Sequence, residues 1–197
     1  MSKVRIDVVD NGGQWTHREW RMLRDLEVET NIIPNTTPTP RIKADALLLS
    51  GGAPRIGTEA PKLGVTGDYL DKLKIPVLGI CVGHQFIALH FGGKAGPAKV
   101  PEYGKAELII TEPGDLFKGL PDRFTVWESH NDEIYEVPKD FLVLAHSKDC
   151  AVEAMKHKTL PLYGVQFHPE VEHTNYHYEI FTNFIEIVKK PPVRVTS

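Results

Sequence analysis

The sequence predicts an α/β fold, with a central, mostly parallel sheet flanked by helices and a smaller antiparallel subsidiary sheet in the second half. Three observations predict it. Strand-like and helix-like segments alternate through the first half of the chain. The strand-like segments there are near-continuous apolar runs, such as ADALLLS at 44–50 and PVLGI at 76–80, as expected of parallel strands covered on both faces. After Gly93 the pattern changes to short strand-like runs separated by Gly, Pro and Asp turns, which suits antiparallel pairing.

The elements follow in order. Residues 4–10 (VRIDVVD) form a strand, Asn11-Gly12-Gly13 a turn and 14–26 a helix. Strands follow at 29–34 and 44–50, joined by the loop Thr36-Thr37-Pro38-Thr39-Pro40. Residues 65–73 are helical and 76–80 a buried strand, and a helix over 83–91 ends at Gly92-Gly93. Strand-like runs then occupy 94–100, 106–111, 124–129, 142–147, 151–156 and 162–167. Tyr178, Phe181, Ile185 and Val188 recur at helical spacing, so 175–189 is a closing helix, stopped by Pro191-Pro192. One domain over 1–190 with a loose tail over 191–197 is the expected organisation, because 197 residues fill one core and not two.

Composition narrows the function. A net charge of −3, from 23 basic and 26 acidic residues, provides no basic footprint for nucleic acid or an anionic membrane. No apolar run reaches the roughly 20 residues that span a bilayer, and the N-terminus runs straight into a strand without a signal-peptide layout. Two cysteines, Cys81 and Cys150, are not a disulfide framework, so a reducing, cytoplasmic setting with free thiols is expected.

Two segments carry the chemistry. Gly79-Ile80-Cys81-Val82-Gly83-His84-Gln85 places a cysteine between a strand and a helix with a glycine two residues to either side, the layout of a nucleophile elbow. Side chains at the flanking positions would clash in so sharp a turn. The N-terminal N–H groups of the following helix favour negative charge on the sulfur, and the Val82 N–H can face an oxyanion. A second donor is expected from Ser50-Gly51-Gly52-Ala53-Pro54, with Gly52 favoured. Val165-Gln166-Phe167-His168-Pro169-Glu170 then sets a histidine and a carboxylate two residues apart. His168 can exchange a proton with Cys81 while Glu170 orients the ring. Taken singly, Cys81 reads equally as a small buried apolar residue and His-Pro-Glu as an exposed turn. Cys150, without flanking glycines, reads as structural. His84, His130, His173 and His177 compete as the base; His173 and His177 could share a helical face as metal ligands, but no H-E-x-x-H pattern or cysteine pair supports a metal, and none is expected.

Together these residues resemble the class I (triad-type) glutamine amidotransferases over nearly the whole chain. The resemblance rests on Asp10-Asn11-Gly12-Gly13-Gln14, Ser50-Gly51-Gly52, the G-x-C-x-G-x-Q stretch and H-P-E, in matching order and spacing. It implies a flavodoxin-like three-layer fold and hydrolysis of L-glutamine to glutamate and ammonia through a γ-glutamyl thioester on Cys81. It places Cys81, His168 and Glu170 on the triad, the Gly52 and Val82 amides on the oxyanion hole, and Gln85 on the substrate glutamine. The backbone of Ser129, His130, Asn131 and Asp132 falls on the groups that grip its amino-acid end. Ala53 interrupts a Gly-Pro pair that is common in the family.

Trp127-Glu128-Ser129-His130-Asn131-Asp132 looks like the W-x-S-H-x-D stretch of the GMP synthetase branch, whereas the tyrosine-histidine-serine-leucine stretch of anthranilate and aminodeoxychorismate synthase subunits is absent. No S-G-G-x-D-S pyrophosphate loop is present. The resemblance therefore implies a separate glutaminase subunit that passes ammonia to an ATP pyrophosphatase partner converting XMP to GMP. It implies no cofactor in this chain, ATP and magnesium being the partner's. His130 and Asp132 are expected to face that partner and signal its state. The competing readings are a subunit for another synthetase, a γ-glutamyl hydrolase or cysteine peptidase on the same fold, and a catalytically silent regulatory module.

Overall fold

The computed structural model describes residues 3–190; the expected tail and Pro191-Pro192 lie outside them. Its elements are β1 (Ile6–Asp10), α1 (Thr16–Asp25), β2 (Ile32–Pro34), β3 (Ala46–Leu49), α2 (Ile56–Glu59), α3 (Thr66–Lys72), β4 (Val77–Ile80), α4 (Val82–His90), β5 (Lys94–Ile110), β6 (Arg123–Glu136), β7 (Phe141–His146), β8 (Ala154–His157), β9 (Leu162–Val165) and α5 (His177–Lys189). The strands form one nine-stranded sheet in the order β2-β1-β3-β4-β9-β8-β7-β5-β6. β2, β1, β3, β4 and β9 are mutually parallel, and the rest pair antiparallel.

The apolar runs explain the layering. Successive strand side chains point to opposite faces. Ile6, Val8, Leu48, Leu78, Ile80 and Val165 pack with Met22 and Leu23 of α1 and Ile180, Phe181 and Phe184 of α5. Their neighbours Val9, Leu47, Leu49 and Val77 pack on the other face with Tyr69 and Leu70 of α3 and Ile87 and Ala88 of α4. Both faces are covered, so both phases of each strand must be apolar.

The second half departs from expectation in three ways. The antiparallel strands do not form a detached subsidiary sheet; they continue the parallel one through the β9–β8 pairing. The separate runs at 94–100 and 106–111 are a single strand, β5, whose register against β6 shifts between Pro97 and Glu102, so the chain around Pro101 is a bulge and not a turn. β6 also continues past Ser129 to Glu136. The long β5–β6 ribbon carries the segment 129–132 to the edge where β1, β3, β4 and β9 end. That is the carboxyl edge of the parallel strands, where ligands bind in open α/β sheets.

Candidate active site

Cys81 follows β4 and precedes α4 with φ 50° and ψ −108°, a positive-φ conformation that costs a non-glycine residue about 1–3 kcal/mol. The turn is held on both sides. The Cys81 N–H donates to the Val165 carbonyl at 2.9 Å and its own carbonyl accepts from the Gln85 N–H at 3.0 Å. The flanking glycines are sterically required: a Cβ on Gly79 would lie 2.6 Å from the Gly83 carbonyl carbon, and one on Gly83 would lie 2.5 Å from the Leu49 carbonyl oxygen. The cysteine is 7% exposed, and the Ser129 carbonyl oxygen lies 4.0 Å from its sulfur.

His168 stands beyond β9, its N–H donating to the Trp127 carbonyl at 2.9 Å and its carbonyl accepting from Thr174 Oγ1 at 2.7 Å. Its Nδ1 lies 2.6 Å from Glu170 Oε1. Trp15 meets the ring edge-on at a centroid distance of 4.4 Å. Burial alone would lower the imidazole pKa, but Glu170 and the Cys81 sulfur outweigh it and hold it well above the usual histidine range. A charged imidazolium beside Glu170 is therefore favoured at His168.

The loop after β3 closes the third side. A Cβ on Gly51 would come 3.1 Å from His168 Cε1, and one on Gly52 would lie 2.3 Å from the Asn11 carbonyl oxygen and 3.1 Å from Val82 Cγ1. Gly52 and Val82 are thus adjacent, as an oxyanion pair requires. Ser50 and Asn11 lock the loop: the Asn11 N–H donates to Ser50 Oγ at 2.9 Å and Asn11 Nδ2 to the Ser50 carbonyl at 3.0 Å. The Gly51 N–H donates to Glu19 Oε1 at 3.2 Å. Glu19, on α1, is buried and has no partner for Oε2. Burial, then repulsion from Glu170, raises its carboxyl pKa well above the ordinary range.

The fourth side is the ribbon segment. Gln85, one turn into α4, donates through Nε2 to the Asp132 carbonyl at 2.7 Å and to Gln166 Oε1 at 2.9 Å, which ties the elbow to the ribbon. The Asp132 carboxylate accepts from Arg55 Nε at 2.8 Å and from the Ile56 N–H at 2.9 Å. His130 and Asp132 are 3% and 5% exposed: both side chains turn inward, and Asn131 is the exposed member of the segment.

A cavity of about 340 Å³ lies between these walls, within the size range of small-molecule sites. Cys81, His168, Glu170, Gly52, Val82, Gln85, Ser129, His130, Asn131 and Asp132 all line it. The other histidines do not act there. His84 is a fully buried core residue, its Nε2 donating to the Val152 carbonyl at 3.0 Å and burial pushing its pKa down to about 3. His173 precedes α5 and packs on Trp127, while His177 opens the helix. They share no helical face.

Sequence reasoning missed Glu19, Arg55 and Trp15. Glu19 left a signal: it falls in phase with Thr16, Met22 and Leu23 on the buried stripe of α1, where a carboxylate has no packing role. Arg55, half-exposed beside a short helix, left none.

Comparison with known proteins agrees with this geometry. The family model for glutamine amidotransferase class-I matches residues 7–188. The chain is 55% identical over 185 residues to a subunit of the glutamine-hydrolyzing GMP synthase of Thermoplasma acidophilum, covering 93% of this chain and 92% of the relative. It is 49% identical to the protein of the same name from Thermococcus kodakarensis over 191 residues, 92% and 97% of the two chains. A Thermoplasma acidophilum crystal structure described as that of a GMP synthase subunit superposes with a TM-score of 0.92 at 53% identity, over 95% of each chain. A glutamine amidotransferase from Thermotoga maritima, 20% identical with a TM-score of 0.73 over 94% of this chain and 82% of that one, shares the fold. With a strained cysteine, a carboxylate-paired histidine and a glycine loop on one cavity, and a family match over almost its whole length, the chain belongs to the class I glutamine amidotransferases.

Proposed function

We propose that this chain is the glutamine-hydrolysing subunit of a two-subunit GMP synthase. The observation that carries the chemistry is the His168 Nδ1–Glu170 Oε1 pair at 2.6 Å, set in one cavity with the strained Cys81. The names of the relatives, matched over more than nine-tenths of the chain, support the GMP branch.

In this reading the resting proton sits on His168. The Cys81 thiolate attacks the γ-carboxamide carbon of L-glutamine, and the Val82 and Gly52 N–H groups take the oxyanion. His168 gives its proton to the departing nitrogen, ammonia leaves and a γ-glutamyl thioester remains. His168, now neutral, removes a proton from water, which attacks the thioester carbon; the sulfur leaves as thiolate and glutamate is released. Glu170 holds the ring and stabilises its charged form. The Ser129–Asp132 backbone and Gln85 position the amino-acid end. The ammonia passes to an ATP pyrophosphatase subunit, which holds ATP and magnesium and aminates XMP.

The test is glutamate release from L-glutamine by wild type and Cys81→Ala, with and without a GMP-synthase ATP pyrophosphatase subunit, ATP, Mg²⁺ and XMP. Cys81-dependent release that rises with partner and nucleotide is expected. Release indifferent to that partner refutes the GMP assignment, and none under any condition refutes the glutaminase.

A further inference from the structure

Behind the catalytic cavity lies a second polar cluster that the glutaminase chemistry does not use. It joins the β5–β6 ribbon to the turn between β7 and β8. Glu102 of β5 is register partner to His130 of β6, and Glu128 lies two residues before His130 on the same strand. Cys150 and Ser147 occupy the β7–β8 turn, the Cys150 N–H donating to Ser147 Oγ at 2.9 Å. Glu153 stands just before β8, its N–H donating to the Ala145 carbonyl at 3.0 Å.

The partners of His130 define the cluster. Its Nδ1 lies 3.0 Å from the Asp132 carbonyl oxygen. That oxygen only accepts, so Nδ1 carries the hydrogen. Nε2 then faces Glu102 Oε2 at 3.3 Å and Glu128 Oε2 at 3.4 Å. Glu153 is 0% exposed, and neither of its carboxylate oxygens has a hydrogen-bond partner; the same holds for Glu128 at 1%. Glu102 bonds only to His130 and Ser147. Among the described residues no lysine or arginine forms an ion pair with these carboxylates. Buried carboxyl oxygens without a hydrogen-bond partner are costly to the fold.

The donor set indicates what would satisfy these buried atoms. One ligand atom each from Glu102, His130, Cys150 and Glu153 lies within 4.8 Å of every other. Around a tetrahedral zinc ion, with bonds of about 2.0–2.3 Å, ligand atoms stand roughly 3.3–3.8 Å apart, so no pair in the cluster needs to close by more than about 1.5 Å. Imidazole nitrogen and thiolate sulfur beside carboxylate oxygen suit a borderline-soft divalent ion, whereas magnesium and calcium take oxygen shells. Nδ1–H on the Asp132 carbonyl is the outer bond that fixes a metal-binding imidazole in the right tautomer.

We propose that Glu102, His130, Cys150 and Glu153 bind a zinc ion beside the catalytic cavity. Binding breaks the Cys150 S–H bond, forms S–Zn and releases the proton to solvent. The ion clamps the ribbon to the β7–β8 turn. Because His130 also lines the cavity, the clamp fixes the 129–132 segment against which substrate is held.

The test uses Cys81→Ala, in which Cys150 is the only thiol left in the chain and the catalytic cysteine cannot contribute a site. The protein is stripped with a chelator and titrated with Co²⁺, then Zn²⁺. Uptake of one equivalent of cobalt with a thiolate-to-cobalt charge-transfer band, displaced by zinc, is the expected result. No stoichiometric uptake, or uptake without the thiolate band, overturns the proposal in favour of protons shared among the carboxylates. In the same background, Cys150→Ser and Glu153→Gln should each weaken zinc binding at least about 10-fold; unchanged affinity in folded variants also overturns it. Should either variant fail to fold, the cobalt spectrum of the parent decides alone.

Discussion

Glu19 is a buried carboxyl whose only partner is the Gly51 N–H, and two substitutions separate its two properties. Glu19→Gln keeps the acceptor and removes the ionisable group; Glu19→Leu fills the same stripe of α1 and removes the acceptor. The Gly51 N–H sits in a buried loop, and orphaning it costs about 1–3 kcal/mol. If the loop turns to find another partner, Gly52 leaves its place beside Val82. At about 1.4 kcal/mol per tenfold, that is a loss of roughly 10- to 100-fold in glutaminase kcat/KM for Leu and little for Gln. Stability separates the variants along a second axis. The folded-state pKa of Glu19 is raised above its unfolded value by burial and by Glu170, so the folded chain retains a proton that the unfolded chain gives up. The associated stability is fully present below the unfolded carboxyl pKa and drains as pH rises through the folded one. Glu19→Gln cannot lose that proton. It should therefore gain on wild type from pH 5 to pH 9, with a limiting slope of about 1.4 kcal/mol per pH unit for one group. Urea unfolding at pH 5, 7 and 9 with parallel glutaminase assays measures both. Parallel stability curves for Gln and wild type, or equal activity of Leu and Gln, would refute the reasoning.

Three further outcomes follow from the site. Gly83→Ala forces a Cβ to 2.5 Å from the Leu49 carbonyl oxygen; a destabilisation of about 1–3 kcal/mol is expected, read as a lower urea midpoint, and a loss under about 0.5 kcal/mol would mean that the elbow relaxes freely. Glu170→Gln should reduce kcat less than His168→Gln, because orienting the ring contributes less than moving the proton. The alkaline limb of its pH–rate profile should also shift to lower pH, since Glu170 helps hold the His168 pKa up; an unmoved limb breaks the link between the two residues. Arg55→Ala releases the Asp132 carboxylate from its guanidinium and should raise KM for glutamine with kcat nearly unchanged, whereas a fall in kcat alone would place Arg55 in the chemistry and not in positioning.

What was legible in the sequence was whatever depends on local backbone demands. Gly79 and Gly83 flank Cys81 because the elbow has no room for a Cβ, and a steric requirement of that kind appears directly as residue identity. The parallel strands were legible for a similar reason, since burial on both faces demands apolar residues in both phases. The long ribbon was not. Pro101 and Gly104 resemble turn residues, but β6 pairs across the bulge and keeps β5 whole, a long-range fact that no window along the chain contains. His130 and Asp132 escape sequence reasoning on the same grounds: a polar motif in a strand suggests exposure until the groups that cover it are known. Asp132 is buried by Arg55, distant in the chain, and His130 by Glu102 from the paired strand.

The strain at Cys81 and the buried charge around it belong to one design. A cysteine at φ 50° is tolerated only where its surroundings determine the conformation more strongly than the backbone resists it. Here the Val165 carbonyl and the Gln85 N–H fix the peptide groups on either side, and the floor of the turn is glycine against the Leu49 carbonyl. The same packing excludes water from the His168–Glu170 pair, which deepens the attraction between the imidazolium and the Glu170 carboxylate. It also makes the Glu19 carboxyl costly to ionise. Glu19 meets that cost by keeping a proton while its oxygen still receives the Gly51 N–H. A site built this way depends on its supports, so weakening them should lower activity before it unfolds the chain. That ordering sets Glu19→Leu, which should lose activity while folded, apart from Gly83→Ala, which attacks the elbow itself and should lose both together.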